Sequence, residues 1–279
     1  MVYGGQCAVS LPLKKTSRLE VEGQIRRLAG KTAIITGAAG GIGAATVRRF
    51  CEEGSQVVLV DIDADALKSV MAEIERDHAK AQLKALALDM GVEDSSKAIV
   101  DATLSQFGSI DIVVNNAGIR SYEAMIDAKA ETWQKILSTN LLSYAFLSRE
   151  ALPALRRSKG NIVNVSSTHA VNPRAGMGQY DVAKAGILSL TRTLAFEEAP
   201  HQVRVNAVCP GLTLTPFHVR RFASQGKSEH DLRAEKVDHN LQRRWADPRE
   251  VAHPILWLAS DEASFVTAAT LMVDGGTRV

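Results

Sequence analysis

Tyr180 and Lys184 stand four residues apart in a segment of helical length, so both side chains leave the same helix face. An ammonium held beside a phenol stabilises the phenolate, which makes the pair usable in acid–base chemistry. That spacing is common by chance and gains meaning from its company. Ser166-Ser167 close one apolar run, and Asn115-Asn116-Ala117-Gly118 closes another. In open α/β sheets such strand ends are where ligands bind. Earlier in the chain, Thr36-Gly37-Ala38-Ala39-Gly40-Gly41-Ile42-Gly43 joins a β-branched run to a helical one. Glycines there let the backbone turn tightly and approach a phosphate, while the next helix offers free N–H groups and its positive end. The Gly-x-x-x-Gly-x-Gly spacing departs from the Gly-x-Gly-x-x-Gly pattern.

Asp61 ends the next β-branched run and is followed by Ile62. A carboxylate at that point either accepts from both hydroxyls of an adenosine ribose, repelling a 2′-phosphate, or caps the helix starting near Ala64. Asp63 is the better-placed cap. No Arg or Lys sits in the glycine turn to receive a 2′-phosphate, so the dinucleotide expected here is NAD rather than NADP.

The elements that must hold these groups alternate. Short β-branched runs occupy Thr32–Thr36, Gln56–Asp61, Leu83–Asp89, Ile110–Asn115, Asn161–Ser166, Gln202–Cys209 and Thr270–Val273. Between them lie helix-length segments at Ile42–Glu53, Ala64–Asp77, Glu93–Phe107, Glu131–Arg157, Gln179–Glu198 and Pro248–Ala259. This order predicts an α/β fold, a single-domain, doubly wound parallel β-sheet with helices on both faces. Residues 30–279 form that domain. Residues 1–29 differ in composition and are expected to be a loosely ordered extension. Lys14-Lys15 follow rather than precede a short apolar run, and Glu20 and Glu22 are out of place in a transit peptide. Leu212–Asp247 has no clear strand and is rich in Arg, Lys and His. Its position before the last helix suits a substrate lid, disordered in part until ligand closes it, with a permanently folded helical flap as the alternative.

Composition removes other classes. With 33 Lys and Arg against 31 Asp and Glu, net +2, the chain lacks the basic excess of a nucleic-acid binder. No apolar stretch approaches the ~20 residues of a membrane span. Three dispersed cysteines, Cys7, Cys51 and Cys209, suit a reducing, cytoplasmic setting rather than a disulfide scaffold. The scattered histidines form no HxH or HxxxH pair, so no metal is expected.

Taken jointly, TGAAGGIG (36–43), Asp61, Asp89, NNAG (115–118), Asn140, Ser167, Tyr180-x-x-x-Lys184 and Pro210-Gly211 resemble the short-chain dehydrogenase/reductase family. The resemblance runs from about residue 30 to the closing Val273-Asp274-Gly275-Gly276. It implies a Rossmann-type fold, NAD(P) binding and a homotetramer or homodimer. It also implies roles. Ser167, by its distance from Tyr180, would bond the substrate oxygen, and Tyr180 would exchange the hydroxyl proton. Lys184 would bind the nicotinamide ribose and support the phenolate. Asn140 would hold a water linking Lys184 to solvent. Gly37, Gly41, Ile42 and Gly43 would take the pyrophosphate, with Asp61 and Ile62 at the ribose and Asp89 and Met90 beside the adenine. Asn116, Ala117 and Gly118 would line the cleft, and Pro210, Gly211, Thr213 and Thr215 would hold the carboxamide.

Residues beside these motifs are candidates for the substrate wall: Arg120, His169, Asn172, Arg174, Gln179, His218 and, in the lid, Arg220 and Arg221. They are mostly polar or cationic, whereas a steroid or acyl pocket is mostly apolar. The expected activity is NAD-dependent hydride transfer with a secondary alcohol or ketone on a polar small molecule such as a sugar, sugar acid or hydroxy acid. A cyclic diol or dihydrodiol is the alternative, and a non-catalytic NAD sensor the remote one. An enoyl reductase is expected to space its Tyr and Lys more widely. A homotetramer is expected from the long helices 131–157 and 179–198, the first carrying Leu141, Leu142, Phe146 and Leu147.

Overall fold

Runs such as Thr-Ala-Ile-Ile-Thr are apolar on both faces, so each strand must be covered from above and below. The computed structural model describes residues 20, 21 and 24–277. Two short strands, β1 (Glu20–Val21) and β2 (Gln24–Ile25), pair antiparallel. The main sheet comprises β3 (Thr32–Thr36), β4 (Gln56–Asp61), β5 (Leu83–Ala87), β6 (Ile112–Asn115), β7 (Asn161–Val165), β8 (Arg204–Pro210) and β9 (Thr270–Val273). Its order is β5-β4-β3-β6-β7-β8-β9, and every pair is parallel. The chain works outward from β3 to β5, then crosses to β6 and works outward the other way. That reversal leaves a crevice above the carboxyl ends of β3 and β6, the place where such sheets bind ligands.

Alternate residues of each strand serve opposite cores. Ala33, Ile35, Val57 and Leu59 pack with Val47 and Phe50 of α1 (Gly41–Glu52), Leu67 of α2 (Ala64–Asp77) and Ile255 of α9 (Pro248–Ala259). Ile34, Val58 and Val60 pack with Ile99 of α3 (Asp94–Phe107) and with two further helices on that face. The long helix expected at 131–157 is broken. It comprises α4 (Ala130–Leu137), one wide turn at Ser138–Leu142, and α5 (Ser143–Ser158). Such a wide turn admits one extra residue without spoiling the apolar face on either side. Leu147 and Leu155 of α5 and Leu194 of α6 (Gly178–Glu198) complete the second core.

The boundary expected at residue 30 falls too late, because Leu28 is buried in the first core and Arg27 pairs with Glu53 at 2.8 Å. Residues 1–19, where most of the expected extension falls, lie outside the described residues. The expected lid carries α7 (Pro216–Ala223) and α8 (Glu229–Ala234). Leu214, Leu232, Val237 and Trp245 form a small core of their own, flanked by Leu212, Val219 and Phe222. The flap is tied at its root, where Leu214 N donates to Ala246 O and Ala246 N to Leu212 O, both at 2.9 Å. No helix among the described residues is long and apolar enough to cross a membrane.

Candidate active site

The glycine turn leaves β3 with Gly37 at φ +64, a left-handed value that favours glycine. A Cβ on Gly37 would lie 2.8 Å from Asn116 Nδ2, and one on Gly43 only 1.9 Å from Gly37 O. Asn116 buttresses the turn, its Nδ2 donating to Thr36 O (2.9 Å) and Gly37 O (3.1 Å). Thr36 Oγ1 accepts from the N–H of Asn116 and of Ala117, which locks the NNAG segment to β3. α1 then starts with no side-chain cap, leaving its first N–H groups for a ligand.

Asp61 faces this turn. Its Oδ2 accepts from Ala39 N at 3.0 Å and its Oδ1 from Asp63 N at 3.2 Å. Asp63 caps α2 through a bond from Ala66 N. Asp63 thus takes the cap, and Asp61 keeps acceptor capacity toward the crevice. One cleft of about 890 Å³ runs from Gly37, Gly41, Ile42, Asp61 and Ile62 past Asn116 and Gly118 to Ser167, Tyr180 and Lys184. Pro210, Gly211, Thr213 and Thr215 form its far wall. Asp89, Met90 and Ala117 line an adjoining recess beside Asp61 and Gly118, with Asp89 Oδ1 accepting from Gly91 N. Gly43 lies beneath the turn. A glycine cradle, an open helix end and a carboxylate at the next strand end fit a nicotinamide dinucleotide.

Tyr180 and Lys184 emerge from the first turns of α6, both nearly shut off from solvent. Lys184 Nζ lies 5.7 Å from the Tyr180 ring centroid and donates to Val165 O at 2.9 Å. Ser166 is committed elsewhere, its hydroxyl donating to Lys184 O at 2.7 Å. Ser167 accepts from His169 N through Oγ and keeps its own proton to donate, at the junction of the cleft with a second pocket. Asn140 sits in the wide turn. Its side chain closes a two-bond ring with Ile119, Oδ1 accepting from Ile119 N and Nδ2 donating to Ile119 O, each at 2.8 Å. Gly118 separates Asn140 from Lys184: a Cβ there would stand 3.4 Å from Asn140 Oδ1 and 3.6 Å from Lys184 Nζ.

Burial, reinforced by the charge of Arg120, pushes the Lys184 ammonium down to about 7. A lowered value means that the folded protein holds this proton less tightly than the unfolded chain. The resulting penalty is full below pH ~7 and fades as pH rises toward the ordinary 10.5. Lys184→Met is therefore expected to raise the melting temperature of the ligand-free protein at pH 6 and to lose that advantage near pH 10. The Tyr144 hydroxyl lies 3.0 Å from Ala117 O and 3.2 Å from Val165 O, so Val165 O keeps a share of its one proton when Lys184 is replaced. Thermal unfolding of both proteins at the two pH values checks this, and a destabilised variant at pH 6 would contradict it.

The second pocket, about 290 Å³, lies beyond Ser167 and is lined by Arg120, His169, Arg174 and His218 among others. Gln179 is absent from it: it is fully buried, with Nε2 donating to Glu123 Oε2 at 3.1 Å. Arg221 lines the pocket, whereas Arg220 lines the cleft. His169 Nδ1 faces Asp181 Oδ1 at 3.0 Å, and its rim is closed by Phe222, Val237, His239, Asn240 and Trp245 of the flap, which sequence reasoning missed. His218 holds a defined state. Arg120 Nη1 must donate to its Nε2 (3.2 Å), so Nδ1 carries the proton and donates to Thr215 Oγ1 at 3.0 Å. Burial, then Arg120 and Arg221, push the His218 imidazolium down to about 4, so the ring is neutral near pH 7.

Comparison with known proteins gives a consistent set. The family model described as Enoyl-(Acyl carrier protein) reductase matches residues 37–278. The chain is 36% identical over 251 residues to the 3-oxoacyl-[acyl-carrier-protein] reductase FabG of Thermotoga maritima, covering 90% of this chain and 98% of that one. It is 38% identical over 250 residues to the cis-4-hydroxycyclohexanecarboxylate dehydrogenase of Sinomonas cyclohexanicum, covering 89% and 96%. Among solved structures, the L-sorbose reductase of Gluconobacter frateurii, complexed with NADPH and L-sorbose, superposes with a TM-score of 0.86. The two are 31% identical, over 90% of this chain and 98% of that one.

Proposed function

This chain belongs to the short-chain dehydrogenase/reductase family of oxidoreductases, and from that membership we propose NAD-dependent oxidation of a secondary alcohol, or the reverse, on a polar small molecule. The observation that carries the reading is the single cleft in which Asp61, Ser167, Tyr180 and Lys184 share one wall system. Bound NAD supplies the hydride acceptor. The chain's own residues do the rest. Ser167 donates its hydroxyl proton to the substrate oxygen and orients it. The adjacent Lys184 ammonium stabilises the Tyr180 phenolate, which takes the carbinol proton and becomes the neutral phenol. Asn140 fixes the loop bearing Gly118, which keeps the space beside Lys184 open to a proton-carrying water.

NAD is preferred because Asp61 presents a carboxylate where a 2′-phosphate would stand and no base in the glycine turn answers it. NADPH belongs to the sorbose reductase complex; the choice here rests on this chain's Asp61. Asp61→Ala is expected to lower the kcat/KM ratio of NAD over NADP by about 100-fold, the worth of two hydrogen bonds to a charged group. Equal efficiency of the unaltered protein with both dinucleotides would contradict the assignment.

The substrate is read as a sugar, sugar acid or hydroxy acid from the polar and cationic pocket. Similarity to a hydroxycyclohexanecarboxylate dehydrogenase supports a ring-bearing substrate as the second reading. The enoyl reductase named by the family model is disfavoured by the close Tyr180–Lys184 spacing. Val182 and Phe196 of α6, 50% and 77% exposed, and Leu142 at 37% support assembly as a homotetramer or homodimer through this face. Oxidation of polyols, hydroxy acids and cyclic diols, followed by NADH absorbance, tests the activity.

A further inference from the structure

Arg120 occupies the junction between the cleft and the second pocket, lining both. Its backbone is fixed by the Asn140 ring on the preceding residue, Ile119. Its guanidinium carbon lies 5.2 Å from the Tyr180 ring centroid and 5.5 Å from that of Phe217, so it stands close to the reacting proton. Of its five N–H donors, one meets the ring nitrogen of neutral His218 at 3.2 Å, and the hydroxyls of Tyr122 and Tyr180 stand near enough to accept others. No Asp or Glu among the described residues lies within ion-pair distance of it. A guanidinium largely removed from water without a carboxylate is costly, and such groups are normally paired.

The nearby carboxylates face other groups. Glu235 on the pocket wall accepts from Lys227 Nζ at 2.7 Å and Trp245 Nε1 at 3.4 Å. Asp181 accepts from Arg174 N at 2.7 Å and faces His169. Arg174 and Arg221 add positive charge to the same pocket. His218 contributes geometry rather than charge: it pins one edge of the Arg120 fork and ties it to Thr215.

We propose that Arg120, braced by His218, is a specificity-determining clamp for a substrate carboxylate, so that the substrate is a small hydroxy acid or its keto acid rather than a neutral polyol. The planar fork matches a carboxylate in two parallel bonds, which an ammonium cannot reproduce. With the carboxylate held there, the carbinol of a short hydroxy acid falls toward Ser167 and Tyr180. This deepens the oxidoreductase reading above and rests on it.

The test compares lactate, 3-hydroxybutyrate and gluconate with their primary amides, using NAD-loaded protein. Calorimetric binding and NADH formation are both measured, for the unaltered protein and for Arg120→Gln and Arg120→Lys. At least one acid is expected to bind about 100-fold more tightly than its amide. Arg120→Gln is expected to collapse that ratio toward one, and Arg120→Lys to restore only part of it. No acid outbinding its amide overturns the proposal. An unchanged ratio in Arg120→Gln with weakened NAD binding also overturns it, assigning Arg120 to a cofactor phosphate. Equal loss for acid and amide, with a displaced pH–rate profile, overturns it in favour of a role on the Tyr180 phenolate. Acid-selective binding without NADH formation from any compound would leave the clamp standing and count against the oxidoreductase reading instead.

Discussion

Tyr180→Phe is expected to lose about 10²–10⁴-fold in kcat, the usual worth of general acid–base catalysis, while NAD affinity falls by no more than about tenfold. The two effects separate because of where the hydroxyl sits. The glycine turn, α1 and Asp61 hold one end of the cleft, and none of them is bonded to Tyr180. The ring packs edge-on against His169 at 5.9 Å, a contact that phenylalanine keeps. Removing one oxygen thus deletes the proton acceptor and its contact with Arg120, and leaves the dinucleotide end of the cleft intact. NADH fluorescence titration gives the affinity and steady-state rates give kcat. A variant with near-normal kcat on a good substrate would show that another group moves the proton.

Gly43→Ala is expected to weaken NAD binding by about 100-fold. The new Cβ would stand 1.9 Å from Gly37 O, 2.7 Å from Gly37 C and 2.8 Å from Asn116 Nδ2. Two of these atoms are backbone, so the clash cannot be relieved by a rotamer. The turn must move, and it takes with it the Asn116 bonds that shape it. Overpacking of this kind costs about 3 kcal/mol at the upper end of its usual range, which is about a hundredfold in affinity. The same fluorescence titration checks it. An affinity within about twofold of the unaltered protein would mean that the dinucleotide does not use this turn.

The sheet was legible because its strands are apolar on both faces and its helices on one. β4, α2 and α9 have the bounds expected, each marked by a strong cap or an abrupt change of composition. The break at Ser138–Leu142 was not legible, since one inserted residue shifts the apolar stripe too little to register as a new period. Site residues were legible where chemistry fixes the residue type, as with Gly37, Asp61, Tyr180 and Lys184. Gln179 misled because adjacency in sequence is a rotation of about 100° on a helix, which carries it away from the face of Tyr180. The flap side of the pocket, Phe222 and Trp245 above all, was beyond reach, because only tertiary folding returns that segment over Ser167. The pairing of Arg120 with His218 spans two such distant segments and carries no local signal.

The central claim is that this cleft moves hydride between NAD and a carbinol with Tyr180 handling the proton. The most direct measurement mixes the protein and NAD with a panel of hydroxy acids, polyols and cyclic diols, and follows NADH absorbance beside Tyr180→Phe. The expected result is NADH formed from at least one compound, faster with NAD than NADP, and abolished in the variant although NAD still binds. Tight NAD binding with no NADH from any compound, or equal rates in the two proteins, would contradict it.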